Sequence, residues 1–416
     1  MRYALATQEL TAAVGRISLQ LDDSGLGLLL RRQGRPLAFI LRRLSPSTTL
    51  QPEEVDELIT RSAAYEMLVD SLRNELLADS LRNELLPAPP SSSRLPTVTV
   101  AVCTRAREEL LEACLSSVLQ LSHGRDDINP EVMVVDNAPP NDRSLRVVRS
   151  HSGVRYVSEP RPGLDFARNR ALLEAQTDFV AFLDDDVEVD ERWLAGLIEA
   201  LRENPDAVAI TGQVLPYELR SRAQIRFESR GGFRREFSKR RYCGAVLPGN
   251  SLYPVGAGMF GAGCNMVLQR HAALQLGGFD EALDTGLPLP GGGDLDIFYR
   301  VLRAGHPLVY EPQMLVFHKH RREHRQLRNQ YWTWGTGLMA YVEKTCVTDA
   351  DARLKLRGFR RWWLWNQMRL LKRSFKGNDA MTPELVLAEL AGGLVGMTGT
   401  YSRSRRRVER LKAESP

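Results

Sequence analysis

TDFVAFLDDDVEVDERW, Thr177 to Trp193, is the stretch from which the fold of this chain is read. An apolar run, Phe179 to Leu183, stops abruptly at three consecutive carboxylates, Asp184, Asp185 and Asp186, and a helix-like segment follows from Glu191. The pattern predicts a buried strand that ends in an acidic loop. Adjacent carboxylates repel one another, so a fold keeps three of them at the mouth of a sheet only where positive charge compensates. A hard divalent cation suits the place. Mg²⁺ is commonly held by one or two carboxylates plus substrate phosphates, and open α/β sheets bind ligands just beyond the carboxyl ends of their strands. The alternative is a solvated acidic loop whose Asp186 or Asp190 caps the next helix.

Around this stretch the chain alternates strands and helices from Thr97 onward. TVTVAVCT reads as a strand, Glu108 to Leu121 as an amphipathic helix, and EVMVVDNA as a strand ending near Asp136. Gly153 to Ser158 follows as a strand, Asp165 to Ala175 and Glu191 to Glu203 as helices, and Ala207 to Thr211 as a further strand. Such interleaving implies βαβ units and a mostly parallel sheet. Asp136 and Asp184 then both end strands and can face one crevice. The first strand-to-helix turn, Val102 to Ala106, has neither G-x-G-x-x-G nor a Walker lysine, which removes the main support for dinucleotide redox chemistry and P-loop hydrolysis.

Upstream, residues 26–44 look like two apolar strands joined by a Gln-Gly-Arg-Pro turn, and a helix is expected from Pro52 with Glu53, Glu54 and Asp56 in its first turn. DSLRNELL occurs at 70–77 and again at 79–86. Such a step is about two and a half helical turns, so the copies face opposite sides of one lengthened linker helix. A solenoid would need longer units and more of them. PAPPSSSRLP then reads as a hinge. The expected organisation is a small α+β N-terminal domain over 1–86, a Pro/Ser-rich hinge over 87–96, an α/β catalytic domain over 97–320 and a basic helical extension over 321–416. No chemistry is visible in residues 1–95.

A composition of 43% hydrophobic and 26% charged residues is that of an ordinary globular protein. Five scattered cysteines without a Cys-x-x-Cys pair argue against a zinc ribbon or a disulfide framework. Residues 1–15 lack a secretory pattern and no run reaches the roughly 18 apolar residues of a membrane span, so a cytoplasmic location is expected. The net charge of +5 is concentrated in Lys319–Arg328, Arg353–Lys376 and Arg403–Lys412, which should favour anionic surfaces.

Beyond residue 215, the Arg-rich segment 219–242 reads as a flexible loop over the site. In GLPLPGGGDLDIFYRVLRAG, Gly291 to Gly293 allow backbone to approach a ligand, and Asp294 opens an amphipathic helix, where an Asp is also an ordinary cap. Residues 321–345 read as a helix bearing Tyr331, Trp332 and Trp334. Arg357 to Phe375 interleaves Trp362, Trp363 and Trp365 with arginines. Three readings of that mixture stay open: an interfacial helix on an anionic bilayer, a surface for RNA, and packing on the catalytic domain. Leu385 to Thr398 is too short to span a membrane, and SRSRRRVERLK reads as a solvated tail.

Taken together, VTVAVCTRARE, VMVVDNAPP, EPRPGLDFARNRAL, FVAFLDDDVEVD, GAGCNMVLQRHAALQLGGFDE and GGGDLDIFYRVLRAG, in that order, resemble a family-2 glycosyltransferase, an inverting sugar transferase of the GT-A fold. The resemblance covers about residues 97–320. It implies a nucleotide-diphosphate sugar donor, a Mg²⁺ or Mn²⁺ ion, a glycan or lipid-linked acceptor and, through that acceptor, peripheral contact with the inner face of an anionic membrane; nucleic acid is not an expected partner. By matching position, it implies that Thr104, Arg105, Gly163, Arg168, Asn169 and Asp185 lie along the nucleotide sugar and that Asp136 recognises the base. It makes Asp184 and Asp186 the metal-binding Asp-x-Asp element, with Asp184 also facing the ribose of the nucleotide sugar, His318 a further metal contact and Asp294 the general base. One departure stands out: the family's Gly-Glu-Asp before the base is Gly292-Gly293-Asp294 here. The lost glutamate weakens acceptor positioning unless Asp296 takes over, and leaves a degenerate scaffold that only binds sugar nucleotide or a partner as the rival reading. A nucleotidyltransferase would be expected to carry a Gly-rich, lysine-containing first loop, which Thr104 to Arg107 lacks.

Overall fold

The computed structural model describes residues 1–78, 95–122, 129–244, 246–286, 289–376 and 381–414. The second copy of DSLRNELL and residues 87–94 of the expected hinge lie outside them. At the N-terminus, β1 (Arg2–Glu9) pairs in parallel with β2 (Asp23–Arg32), which runs antiparallel to β3 (Arg35–Arg43). The expected hairpin is therefore one part of a three-stranded sheet. Gln33 and Gly34 both adopt positive φ, 52° and 76°, giving a two-residue turn whose twist suits the strands. Leu26, Leu28 and Leu30 form one small core with Val55, Ile59 and Ala63 of α1 (Pro52–Ala78).

The body of the molecule is a second sheet. Its first half comprises β4 (Val98–Thr104), β5 (Glu131–Asn137), β6 (Val154–Glu159) and β7 (Phe179–Asp184), separated by α2 (Glu108–Leu119), α3 (Arg143–Arg149) and α4 (Leu164–Glu174). After a short β8 (Val187–Val189) come α5 (Trp193–Glu203), β9 (Ala209–Pro216), α6 (Arg222–Ser229), β10 (Arg240–Tyr242), β11 (Asn265–Gln269), α7 (Arg270–Gln275), α8 (Gly293–Arg303) and β12 (Leu308–His318). The strand order is β8-β12-β9-β11-β7-β4-β5-β6, with β10 beside β12. Pairing is parallel through β7-β4-β5-β6 and between β9 and β12, and antiparallel where β11 joins β7 to β9. This is the α/β class expected from the sequence. Every residue of β4 is buried, which is why it reads as a nearly continuous apolar run, broken only by Thr99 before it ends at Thr104. Helices cover both faces, with Leu111, Leu115, Trp193 and Leu197 on one and Ala167, Ala171, Ile297 and Phe298 on the other.

Two expectations fail here. Segment 219–242 is no loose loop: α6 forms in it, its N-terminus closed by Ser221 and Gln224 in a reciprocal capping box, and β10 follows. The closing arginine-rich stretch is not a solvated tail but part of α12 (Thr400–Glu414), which buries Tyr401, Ser404 and Val408. Those three positions step by three and four, a stripe that the surrounding charge hides.

Three more helices complete the C-terminal region: α9 (His324–Thr348), α10 (Arg353–Ser374) and α11 (Pro383–Gly396). Between α9 and α11 the backbones touch. A side chain on Gly335 would overlap the carbonyl of Glu389, and one on Gly392 would overlap that of Trp332. Trp363 packs into the gap left by Gly393, whereas Trp362 and Trp365 are 47% and 59% exposed, so the packing alternative describes only one of the three indoles. Among the described residues no helix is long and apolar enough to cross a membrane.

Candidate active site

The apolar part of β7 ends because Asp184 to Asp186 cannot continue into the core, and the acidic tip so formed lies beside the end of β4. Thr104 Oγ1 donates to Asp185 Oδ2 (2.8 Å). Arg107 spans Asp185 Oδ1 (2.5 Å) and Asp186 Oδ2 (2.8 Å), and Arg321 lies 3.8 Å from Asp186. The positive charge that three carboxylates demand is thus supplied in part by an arginine three residues past the strand, one that the sequence reading overlooked. Burial raises Asp185 to about 7 despite Arg107. Burial also pulls on Asp186, but His318, Arg107 and Arg321 outweigh it and hold that carboxyl at about 2. His318, itself pushed down to about 4 by burial, is uncharged near neutrality, so the two arginines carry this effect there.

Arg168 on α4 is the hub of a second cluster. Its buried guanidinium lies 3.1 Å from Asp165, 3.7 Å from Asp184 and 4.0 Å from Asp284, and Nη2 donates to the carbonyl of Gly263 (3.4 Å). The amide of the same Gly263 donates to Asp294 Oδ2 (3.0 Å), while Asp294 Oδ1 accepts from Leu295 N (2.8 Å). A continuous path therefore runs from the strand-end carboxylate Asp184 through Arg168 and Gly263 to Asp294 at the start of α8. Burial raises Asp184 to about 6 and Asp284 to about 7, with Arg168 opposing in each case. Asp165 is fully buried and raised well above the usual carboxylate range by the same cause.

The geometry also accounts for Gly293. A Cβ on Gly293 would overlap the Asp165 carboxylate, whose Oδ2 is buried without a hydrogen-bond partner. An acidic group on α4 fills the space in which a glutamate at 293 would begin. Asp296, the other candidate for that role, faces away: it is fully buried and bonded to Lys344 and to Arg300 (2.7 Å).

His318 ends β12 with Nε2 3.3 Å from Asp186 Oδ1. Its Nδ1 meets His320 Nδ1 at 2.9 Å, and His320 Nε2 meets the fully buried Glu228 Oε1 at 2.8 Å. With His320 Nε2–H donated to Glu228, His320 Nδ1 must accept from His318 Nδ1–H. That tautomer turns the lone pair of His318 Nε2 toward Asp186. Two electron-rich atoms face each other, a donor pair suited to a cation, and Asp184 lies on the same cleft. Among the described residues no three such side chains converge tightly enough to chelate an ion alone. The set fits a hard cation that completes its shell with substrate phosphate and water.

These groups share a cleft of about 1040 Å³. Thr104, Arg105, Gly163, Arg168, Asp184, Asp185, Asp186, Asp294 and His318 all line it. Asp136 and Asn169 do not. Asp136 is fully buried and accepts from Tyr156 O–H (3.0 Å); its neighbour Asn137 reaches the cleft and holds Gly163 N (2.9 Å). Asn169 clamps the backbone of Phe279 through both ends of its amide. The sequence reading missed Arg107, Asp284, Arg235 and the α9 residues on the far wall. For Arg107 a signal existed, since an acidic triplet needs a cation nearby; for the others there was none.

An α/β domain with carboxylates gathered beyond the ends of its central strands, opposed by one more on a neighbouring helix, is the class that fold and cleft define. Residues 99–257 match the sequence model of the family described as Glycosyl transferase family 2, and the chain carries a family-2 glycosyltransferase domain. It is similar to the pre-mycofactocin glycosyltransferase of Mycobacterium tuberculosis, 29% identical over 242 residues, 58% of this chain and 46% of that one. It is also similar to the succinoglycan biosynthesis protein ExoM of Rhizobium meliloti, 31% identical over 223 residues, 53% of this chain and 65% of that one. The chain thus spans about half to two thirds of the length of these curated relatives. A solved mannosyltransferase from Pyrobaculum calidifontis, in complex with GDP-Man and Mn²⁺, aligns over 84% of this chain and 95% of its own at 18% identity and a TM-score of 0.46.

Proposed function

We propose that the protein transfers a sugar from a nucleoside diphosphate sugar to an acceptor hydroxyl, with inversion, in a single displacement assisted by Mg²⁺ or Mn²⁺. The observation that carries this reading is the opposition across one cleft of Asp184 and Asp186, at the strand end, and Asp294, on a separate helix, joined through Arg168 and Gly263. A divalent cation held by Asp184, Asp186 and His318 would stabilise the charge that develops on the departing diphosphate. Thr104, Arg105, Asn137 and Gly163 flank the nucleotide side of the cleft, with Asn137 holding the Gly163 amide. Asp294, its Oδ2 fixed by the Gly263 amide, takes the proton of the acceptor hydroxyl. As that oxygen bonds to the anomeric carbon, the bond from carbon to diphosphate oxygen breaks on the opposite face. The products are the inverted glycoside, the nucleoside diphosphate and a proton.

Exposed Trp362, Trp365 and Phe375 share α10 and its end with nine arginines and lysines over residues 353–376 and no acidic residue. That combination supports peripheral attachment to an anionic bilayer. Co-sedimentation with anionic vesicles, lost with neutral vesicles or in the Trp362→Ala/Trp365→Ala variant, is the expected result.

The catalytic reading is tested by nucleoside diphosphate release from a panel of nucleotide sugars with Mn²⁺. Release from at least one donor, abolished by chelator, is expected. Silence across the panel, with no thermal shift from any donor, would overturn it.

A further inference from the structure

The cleft is larger than one ligand needs. At about 1040 Å³ it passes the upper end of the roughly 300–1,000 Å³ usual for a single small-molecule site, and its far half is built from other chemistry than the carboxylate half. Gln326, Asn329, Gln330, Thr333, Trp334 and Gly337 of α9 all line it. Their steps of three and one place them on one face of the helix. Arg328, the charged residue in this span, pairs with Glu384 instead (3.2 Å). Nearby charges are spent elsewhere: Arg230 on Glu389 (2.6 Å), and Arg235 on the carbonyls of Phe233, Arg234 and Gly258. Among the described residues the side-chain amides of Asn329 and Gln330 have no partner. Trp334 is 37% exposed, its ring wedged against Phe227, Phe233 and Tyr331 at 5.5–5.6 Å between centroids.

We propose that this face of α9 is the acceptor subsite and that it recognises a neutral hexose, with Trp334 stacking on one face of the sugar ring and Asn329 and Gln330 reading its hydroxyls. The inference rests on the sugar-transfer reading above and names the acceptor class for that same cleft. A carboxamide both donates and accepts, as a sugar hydroxyl does. A phosphate would call for unspent cations on this face, and an alkyl chain would leave the amides buried and unsatisfied. A rigid, half-open indole offers the flat apolar surface that a hexose needs beneath its C–H groups.

The test measures nucleoside diphosphate release with Mn²⁺ and four acceptor probes: methyl hexosides, octyl hexosides, hexose 6-phosphates and dodecyl phosphate. Methyl or octyl hexosides are expected to raise release. Asn329→Ala/Gln330→Ala and Trp334→Ala should each increase the hexoside KM about tenfold or more, while the donor KM moves less than twofold. Trp334→Phe, which keeps the ring, should recover most of the loss. Preference for the octyl glycosides with the same variant sensitivity supports the subsite and assigns its sugar to a lipid carrier. Response only to hexose phosphates or dodecyl phosphate, or a hexoside KM unmoved in both variants, overturns it. If the parent releases nothing from any donor, the transfer reading fails by itself. Saturation-transfer NMR with methyl hexosides then decides the subsite: binding lost in Trp334→Ala supports it, and no binding to the parent overturns it.

Discussion

The wall of the cleft built from strand ends gathers Asp184, Asp185, Asp186 and Asp284 around Arg107 and Arg168, whereas the wall built from α9 presents amides, a hydroxyl and an indole. On the first wall each charge is held by another, and burial keeps several carboxyls close to neutral pH in their titration. On the second nothing titrates. On the proposed function the contrast separates two tasks: a wall that would meet a diphosphate and move a proton has to store charge, and one that would only orient hydroxyls does not.

The sharpest break of that contrast is Asp294→Asn. Transfer should fall roughly 10²-fold or more while donor affinity measured by calorimetry holds within about twofold. Equal rates in parent and variant would remove Asp294 from proton transfer. Asp186→Asn comes next: donor affinity in Mn²⁺ should drop roughly tenfold or more, with little change in the metal-free titration. Unchanged Mn²⁺-dependent affinity would take the cation off the strand-end wall.

A third substitution asks whether the charged wall is already full. Gly293→Glu forces a side chain into the place of the buried Asp165 carboxylate and should cost about 1–3 kcal/mol by overpacking, read as a lower thermal midpoint. Combining it with Asp165→Ala should return at least half of that loss, because the two changes share one volume. Purely additive losses would show that the two residues do not compete for space.

The smallest effect lies away from both walls. Glu199 is pulled up by burial but held at about 2 by Lys239 (2.6 Å), Gln313 (2.9 Å) and Arg35. Its folded value lies below the ordinary 4.5, so its contribution is complete above that pH and is lost as pH falls from about 4.5 toward 2. Thermal unfolding followed between pH 5 and 3 should decline less steeply in Glu199→Gln than in the parent. Parallel declines would place the acid sensitivity in the carboxylate wall instead.

Much of the charged wall was legible because carboxylates after an apolar run are costly and so conspicuous: Asp184 to Asp186 could be picked out by type and place alone, whereas Asp294 read equally as a helix cap and was singled out by the family resemblance. Strands β4 to β7 were legible for the same reason, as apolar runs between turn residues. Asp136 misled, since the end of a strand fixes a residue's height in the sheet but not which neighbour, here Asn137, turns toward the cleft. Segment 219–242 misled because its arginines mask a capped helix. The amides of α9 gave no signal at all: Gln and Asn at helical spacing look like any solvated face until the fold brings them over the carboxylates.

The latch behind α8 has a practical consequence for anyone trimming the chain. Asp296 is bonded to Lys344 of α9, and Asp280 accepts the hydroxyl of Tyr401 (2.8 Å) on α12. A fragment cut near residue 320 would keep the whole family-matched segment yet take Lys344 from Asp296, leaving that buried carboxylate to Arg300 alone, and take Tyr401 from Asp280. The smallest fragment that keeps these contacts therefore reaches past Tyr401, and the final helices are its keel rather than an appendage.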